Sequence, residues 1–380
     1  MKLFEKIIDC CGCGECVAIC PQNAIQMKPI EKGFLYPVID NSLCINCSLC
    51  QKNCKFNNKQ LALRPSKALV TRAISDEILE RSTSGGMYTL ISDYILNIGG
   101  YVYAPSFDSE MHLGHSRITN SKHRNKSTGS KYVQSECAVY KEILKDSNMV
   151  NPLVIFGTPC QINAMKNFLL YQKADCKDIY FIDVICNGVG SPLVWFEHKK
   201  RIERKYKRSL VDYKFRTKSN GLNSNEECAV FSDGTKELIS NHIYKYNPMY
   251  HSRLIVRPSC NNCAFCSIDR VSDITIGDFS KEDIALNFKR TGGVSTVLIN
   301  TEKGGQLFDK ISRYLQFQEL SLDAISQLRL RECGELNLES DVFFENMKDN
   351  NLNYAILKWI GIKQYVKIIL YSCWNHIKVK

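Results

Sequence analysis

The strongest constraint on this chain is a cysteine pattern that occurs twice within its first 54 residues. Cys10, Cys13, Cys16 and Cys20 are spaced C-x2-C-x2-C-x3-C, followed by Pro21, and Cys44, Cys47, Cys50 and Cys54 repeat the spacing with Lys55 where the proline stood. Three closely spaced thiolates can grip three corners of a cubane cluster, and a distant fourth then ties two halves of a small domain together. Where the fourth cysteine of each run crosses over, one set is Cys10, Cys13, Cys16 and Cys54 and the other is Cys44, Cys47, Cys50 and Cys20. Zinc is the alternative, although zinc sites usually pair C-x2-C knuckles instead of using triplets followed by x3-C-P. Cys11 is left over, or takes the place of Cys10 if the loop slips by one residue.

The doubled run is the signature of a bacterial two-cluster 4Fe-4S ferredoxin domain, expected over residues 1–57, with short strands and a turn at Gly33 between the runs. A polar, proline-ended linker follows at about 58–66. Nineteen cysteines in all exceed what packing needs, and a chain without a recognisable signal peptide or an 18-residue apolar run is expected in the cytoplasm, where thiols stay reduced. Metal is then the better account of the cysteines than disulfides. The formal charge of +11 is weak evidence for nucleic acid, because three cubane clusters with their thiolates would bring it to about +5.

The remainder reads as a mostly parallel α/β body, expected in two parts (67–150 and 151–330) and followed by a basic helical tail (331–380). KALVTRAI, residues 67–74, reads as a strand, and a helix follows with Ser82, Thr83 and Ser84 as N-cap candidates and Gly99-Gly100 as its stop. The turn at Ser84, Gly85 and Gly86 opens that helix and is a candidate phosphate site. Apolar runs at 153–156 and 179–185 flank a helix starting near Cys160, the pattern of neighbouring parallel strands. Ligands bind at the carboxyl edge of such sheets, which makes Gly157, Thr158, Asn187 and Gly188 candidate cofactor contacts.

The same edge carries Cys160 and Cys186. A further run, Cys260, Cys263 and Cys266, lacks a fourth ligand. One assignment joins Cys160, Cys186, Cys260 and Cys263 around a third cubane cluster and leaves Cys266 aside. A second uses Cys260, Cys263, Cys266 and one strand-end cysteine, and a third makes Cys160 and Cys186 core thiols. Cys137, Cys176, Cys228, Cys333 and Cys373 are isolated and read as structural. His112 and His115 fall in a loop-like stretch and read as surface residues.

The strings RSTSGGMYTLISDYILNIGGYVYAPSFD, GSKYVQSE, VIFGTPCQINAMKNFL, DVICNGVGSPLVW, CNNCAFCSIDRVSDITIGDF and GVSTVLINTEKGGQLFD resemble, in order, the family of coenzyme F-420 hydrogenase/dehydrogenase beta subunits over about residues 67–315. The resemblance implies FAD beside a cubane cluster, with electrons passing between iron–sulfur centres and flavin to a two-electron acceptor, which some bacterial relatives place among polysaccharide-assembly genes. By position, Cys160, Cys186, Cys260 and Cys263 match the family's cysteines. Ser84, Gly85, Gly86, Lys131 and Tyr132 fall in motifs similar to its flavin pocket, where Lys131 would offset phosphate charge or meet the ring's polar edge.

The expected partners are a ferredoxin or another redox protein and a small-molecule or glycan-related substrate, without nucleic acid. The competing reading is an electron-transfer subunit with no substrate of its own; a colourless zinc scaffold is the remote one. The basic run KKRIERKYKR at 199–208 either docks an acidic ferredoxin or forms a solvated helix face. The C-terminal segment from residue 356 places Trp359, Ile362, Val366, Ile369, Leu370, Cys373 and Ile377 at helical spacing, either for peripheral membrane contact or for docking on the protein's own core.

Overall fold

The computed structural model describes residues 3–54, 62–150, 152–218, 226–240, 242–349 and 351–362. The N-terminal module is a two-stranded antiparallel hairpin, β1 (Ile25–Pro29) and β2 (Leu35–Ile39), flanked by short helices Glu15–Ile19 and Leu49–Lys52. Each helix lies inside one cysteine run, so the thiols of a run leave the backbone on both sides of a tight turn.

The body is built on strands β3 (Lys67–Ala73), β4 (Tyr101–Phe107), β5 (Leu113–Ile118), β6 (Leu153–Gly157), β7 (Ile179–Val184), β8 (Leu210–Lys214), β9 (Glu227–Phe231), β10 (Lys236–Ile239), β11 (Ile274–Asp278), β12 (Ser295–Ile299) and β13 (Leu315–Leu320). Eight of them form one sheet in the order β13-β3-β12-β11-β7-β6-β4-β5, and β10-β9-β8 form a small antiparallel sheet. The four central strands β4, β6, β7 and β11 are parallel, while antiparallel pairing is confined to the flanks.

Burial on both faces explains the apolar runs. Val154, Phe156 and Ile182 face a core with Leu90, Ile91 and Ile95 of the helix Met87–Asn97. Leu153, Ile155 and Phe181, one residue out of phase, face Ile162, Met165 and Phe168 of the helix Pro159–Tyr171. That alternation, two per strand repeat, is the pleat read from either side.

The helix Met87–Asn97 starts two residues later than the last of its serines suggests. Its N-cap is Gly86 at φ 92°, because Ser82 Oγ donates to the Ile78 carbonyl and Ser84 Oγ to the Val294 carbonyl, each at 2.7 Å. The hydroxyls are spent before the helix begins, and Ser82 closes an additional short helix, Asp76–Arg81. His115 is also not a surface residue. It lies in β5 and is 8% exposed, with its ring bonded to the Phe156 carbonyl and to Ser135 Oγ, both at 3.0 Å. Burial pushes its pKa down to about 4, so it is neutral at physiological pH. His112 is exposed beside Asp108.

The basic run lies in and just beyond the helix Pro192–Tyr206. Arg201 turns inward, 4% exposed, against the Tyr244 ring at 4.7 Å, so this helix is not solvated all round. The C-terminal helix Leu352–Ile360 buries Leu352, Ala355 and Ile356 in the body's core, with Trp359 packed beside them. Val366, Ile369, Leu370, Cys373 and Ile377 lie outside the described residues. Among the described residues no helix is long and apolar enough to cross a membrane.

The N-terminal module is docked on the body by specific bonds. Tyr140 Oη donates to the Cys13 carbonyl (2.8 Å), Ser191 Oγ to the Lys32 carbonyl (2.6 Å), and the Leu35 amide to Gln134 Oε1 (3.0 Å). Lys32 is paired with Asp341 at 2.6 Å. Gly33, at φ 74°, sits so close that a Cβ there would lie 2.2 Å from Leu193 Cβ, so only glycine fits both the turn and the approach.

Candidate redox centres

Each N-terminal cysteine set surrounds its own cavity. Cys20, Cys44, Cys47 and Cys50 line the outer one; Cys10, Cys13, Cys16 and Cys54 line the inner one, with Cys11 and Cys50 also on its wall. Among the described residues no three His, Cys, Asp or Glu side chains converge tightly enough to hold a single ion. Four thiols around a shared void are instead the arrangement that a bulkier cluster requires.

A third cavity lies at the carboxyl edge of the large sheet, lined by Cys160, Cys186, Cys260 and Cys263. Cys160 sits in the first turn of the helix after β6, held by a capping box between Thr158 and Gln161. Cys186 follows the end of β7, which pairs with β6. Cys260 and Cys263 come from the irregular loop that enters β11, and two arginines hold that loop to the strand ends. Arg253 donates to the Asn187 carbonyl (2.7 Å) and to Asn261 Oδ1 (2.6 Å). Arg270 donates to the Phe265 and Ser267 carbonyls (3.2 and 3.0 Å) and pairs with the buried Asp183 at 2.9 Å.

Backbone amides aim at one sulfur in each set: Gly12 N to Cys10 Sγ (3.4 Å), Ala24 N to Cys20 Sγ (3.3 Å) and Gly188 N to Cys186 Sγ (3.3 Å). Such bonds stabilise negative charge on cluster sulfurs. Burial pushes the thiols the other way, Cys10 and Cys260 up to about 11 and Cys186 to about 12. Thiolates at Cys10, Cys186 and Cys260 therefore form at neutral pH only beside a compensating positive charge, which bound iron would supply.

Cys266 is on the wall of the third cavity. Cys333 is less isolated than its sequence position suggests, since its sulfur accepts from the Cys263 amide at 3.1 Å and donates to the Cys263 carbonyl at 3.3 Å. Cys137 and Cys228 are buried, and Cys176 is half-buried.

A fourth cavity, ≈ 460 Å³, adjoins the third and lies within the size range of small-molecule sites. Ser84, Gly86, Lys131, Tyr132, Gly157, Thr158, Asn187 and Gly188 all line it. Gly85 does not. Its amide donates to Ser295 Oγ at 2.8 Å, and a Cβ there would lie 2.4 Å from the Thr71 carbonyl, so Gly85 serves close packing of the turn on β3 and β12. No side chain caps the helix Met87–Asn97, so its first amides are open to the cavity. Thr89, on the cavity wall, has a buried hydroxyl without a hydrogen-bond partner. Both observations fit the phosphate end of a dinucleotide. Apolar Ala104, Leu113, Val133 and Ile276 offer a surface for a flat ring.

Lys131 donates to the Thr128 and Gly129 carbonyls (3.0 and 3.2 Å). Burial, with help from the charge of Lys214, pushes it down to about 7. Tyr132 stacks on Tyr250 at 4.4 Å, and Tyr250 Oη donates to the Gly188 carbonyl at 2.9 Å. Sequence reasoning missed Thr89, Gln161, Arg216 and His251, which also line this cavity. Thr89 and Gln161 lie within the strings RSTSGGMYTL and VIFGTPCQ, three residues beyond Gly86 and Thr158, whereas no motif marks Arg216 and His251, which only the folded chain brings to this wall.

The four cavities share walls in series. Cys50 lines the outer and inner N-terminal cavities. Cys11 and Gly12 line the inner cavity and the third. Thr158, Gln161 and the segment Cys186–Val189 line the third and fourth.

Two stretches of the chain match known domain families. Residues 9–58 match the 4Fe-4S dicluster domain, and residues 150–323 match the C terminus of the coenzyme F-420 hydrogenase/dehydrogenase beta subunit. One component of the F(420)H(2) dehydrogenase from Methanosarcina mazei is 21% identical over 334 residues, covering 82% of this chain and 84% of that protein. A chain of the F-420-reducing nickel–iron hydrogenase complex from Methanosarcina barkeri covers 77% of this chain and 91% of its own length, with 16% identity and a TM-score of 0.46. Residues 150–323 thus carry the C-terminal domain of coenzyme F-420 hydrogenase/dehydrogenase beta subunits, behind a 4Fe-4S dicluster domain at residues 9–58.

Proposed function

We propose that this chain is an iron–sulfur flavoprotein oxidoreductase that carries electrons between an external redox protein and a two-electron substrate, a small molecule or glycan intermediate. The observation that supports it best is the series of four cavities with shared walls. In this reading the two N-terminal sets and the set Cys160, Cys186, Cys260 and Cys263 each hold a 4Fe-4S cluster, and the fourth cavity holds FAD. Bound there, the clusters supply one-electron transfer and FAD supplies the conversion to an electron pair.

The chain's own residues do the rest. Exposed Leu43 and Ile45 flank Cys47 at the outer end and form the face for the external ferredoxin or similar redox partner. Thr89 and the amides after Gly86 hold phosphate, Lys131 offsets its charge, and Thr158 and Gly188 keep the cofactor against the third site. Arg216, ion-paired with Asp278, and His251 line the same cavity. They orient the substrate, and His251, the one histidine on that wall among the described residues, is the group able to exchange a proton with it.

Anaerobically purified protein is expected to contain about 12 iron atoms and to release one FAD on denaturation. Eight iron would remove the third site from the relay, and absence of flavin after reconstitution would remove the flavin step. The second reading, an electron-transfer subunit without its own substrate, is favoured by the Methanosarcina mazei relative, which is itself one subunit of a dehydrogenase. Substrate turnover by the purified chain alone would exclude it.

Lys131 gives this reading a pH signature. Its pKa near 7 is below the value expected beside a phosphate, so binding FAD takes up a proton above pH 7. Affinity should then fall with rising pH, by up to about tenfold per unit, and Lys131→Met should flatten the profile. Titration of flavin-free protein by fluorescence quenching at pH 6.5 and 8.5 decides this; an equal pH slope in both proteins rejects the role.

A further inference from the structure

Arg257 begins the loop that carries Cys260, and its own carbonyl accepts the Cys260 amide at 3.0 Å. The side chain is 0% exposed. Its Nε donates to the Cys10 carbonyl at 3.0 Å and its Nη1 to Gln134 Oε1 at 3.2 Å. The guanidinium carbon lies 4.0 Å from the centroid of the Tyr36 ring and 5.4 Å from that of Phe34. Among the described residues it pairs with no carboxylate, and its buried Nη2 has no hydrogen-bond partner.

A buried guanidinium is retained in a fold only when something negative compensates it. No such group is within its contacts, yet the two nearest functional features are cysteine sets. One contact is to the backbone of Cys10, in the inner N-terminal set. The other is to the loop of Cys260, in the third set. Gly12 closes the gap, since a Cβ on it would lie 3.0 Å from Arg257 Nη1, and Gly12 is on the wall of both cavities. The outer set, Cys20, Cys44, Cys47 and Cys50, makes none of these contacts.

We propose that Arg257 is the buried counter-charge shared by the inner N-terminal cluster and the body cluster, and that it raises the reduction potentials of both relative to the outer cluster. This rests on the reading that all three cysteine sets hold 4Fe-4S clusters. Each cluster gains one negative charge on reduction, and a fixed cation in a low-dielectric wall stabilises the reduced form more than the oxidised one. An electron arriving at the outer cluster is thereby drawn inward, and the same residue fixes the module to the body, so geometry and driving force are set together. Arg257 acts through the clusters' charge and is a positioning and tuning residue, since it contributes no ligand atom.

The test is a redox titration of the full chain followed by electron paramagnetic resonance, on wild type, Arg257→Gln and Arg257→Lys, with iron content measured for each. Glutamine keeps a donor for the Cys10 carbonyl and removes the charge; lysine keeps the charge. Expected are a downward shift of two of the three midpoint potentials in Arg257→Gln and near wild-type potentials in Arg257→Lys. Three unmoved potentials, or three that move alike, in a glutamine variant with full iron overturn the proposal. If the glutamine variant does not fold, the lysine variant decides: lowered potentials there overturn it and retained ones support it. Fewer than about 12 iron atoms in wild type would instead overturn the three-cluster reading.

Discussion

If the third cavity holds a cluster and the fourth holds FAD, as proposed, a Cys186→Ala chain is expected to contain about 8 iron atoms in place of about 12, to bind FAD still, and to lose reduction of that FAD by external ferredoxin. Cys186 is placed at the end of β7, where its amide neighbour Gly188 points at its sulfur, and it stands on the wall between the third and fourth cavities. Removing the thiol opens one corner of the third site and leaves both N-terminal sets complete. On that reading electrons then enter but find no centre beside the fourth cavity. Direct chemical reduction of the flavin by a small reductant should survive, which separates a broken path from a damaged pocket. Cys266→Ala serves as the comparison: if Cys160, Cys186, Cys260 and Cys263 are the ligands, it keeps about 12 iron atoms. Full iron and normal ferredoxin-driven flavin reduction in Cys186→Ala would end the idea that this thiol ligates a cluster on the path.

Arg270→Met should lower the stability of the body by about 3–5 kcal/mol, the range for deleting one partner of a buried ion pair. Asp183 and Arg270 have side chains 0% and 2% exposed. Burial pushes the Asp183 carboxyl up while Arg270 draws it down, so losing the arginine strands the aspartate in a low-dielectric site. The loss is also local. The same guanidinium holds the Phe265 and Ser267 carbonyls, so the cysteine loop should loosen and the third site should lose iron before the N-terminal sites do. Denaturant midpoints, read with iron release, test both parts. A double variant, Asp183→Leu with Arg270→Met, should recover much of the stability, since a well-packed apolar pair can replace a buried ionic one. No recovery would mean that the hydrogen bonds to the loop carry the effect and the charge pair does not.

The parts of this fold that were legible in the sequence are those with a strong local period. The apolar runs of β6 and β7, the helix between them and the helix after Gly86 follow from burial on two sheet faces. Their order in the sheet placed Cys160 and Cys186 side by side because parallel neighbours end at the same edge. The N-terminal cysteine sets were legible for a different reason, since their spacing encodes a turn geometry. Other features depend on residues far apart in the chain. His115 is buried because the edge strand β5 turns it toward Phe156, and nothing around it in sequence marks that inward face. The contact of Cys333 with Cys263 spans 70 positions. Ser82 and Ser84 had better uses than capping, which became visible only once Ile78 and Val294 were beside them. The strands of the three-stranded sheet β8–β10 carry Asp212, Lys214, Glu227, Lys236 and Glu237, so no continuous apolar run marks them as it marks β6.

The docking of the N-terminal module bears on how the two halves can exist apart. Phe34 and Tyr36 are both 0% exposed, and the Arg257 guanidinium lies over both rings. A module expressed alone would present these aromatic faces to water, together with the glycine turn that Leu193 presses against. It should therefore associate with itself or with other apolar surfaces, where free-standing small electron carriers stay monomeric. The buried rings thus make the joint to the body part of the module's own surface chemistry: severing it is expected to cost the smaller half solubility.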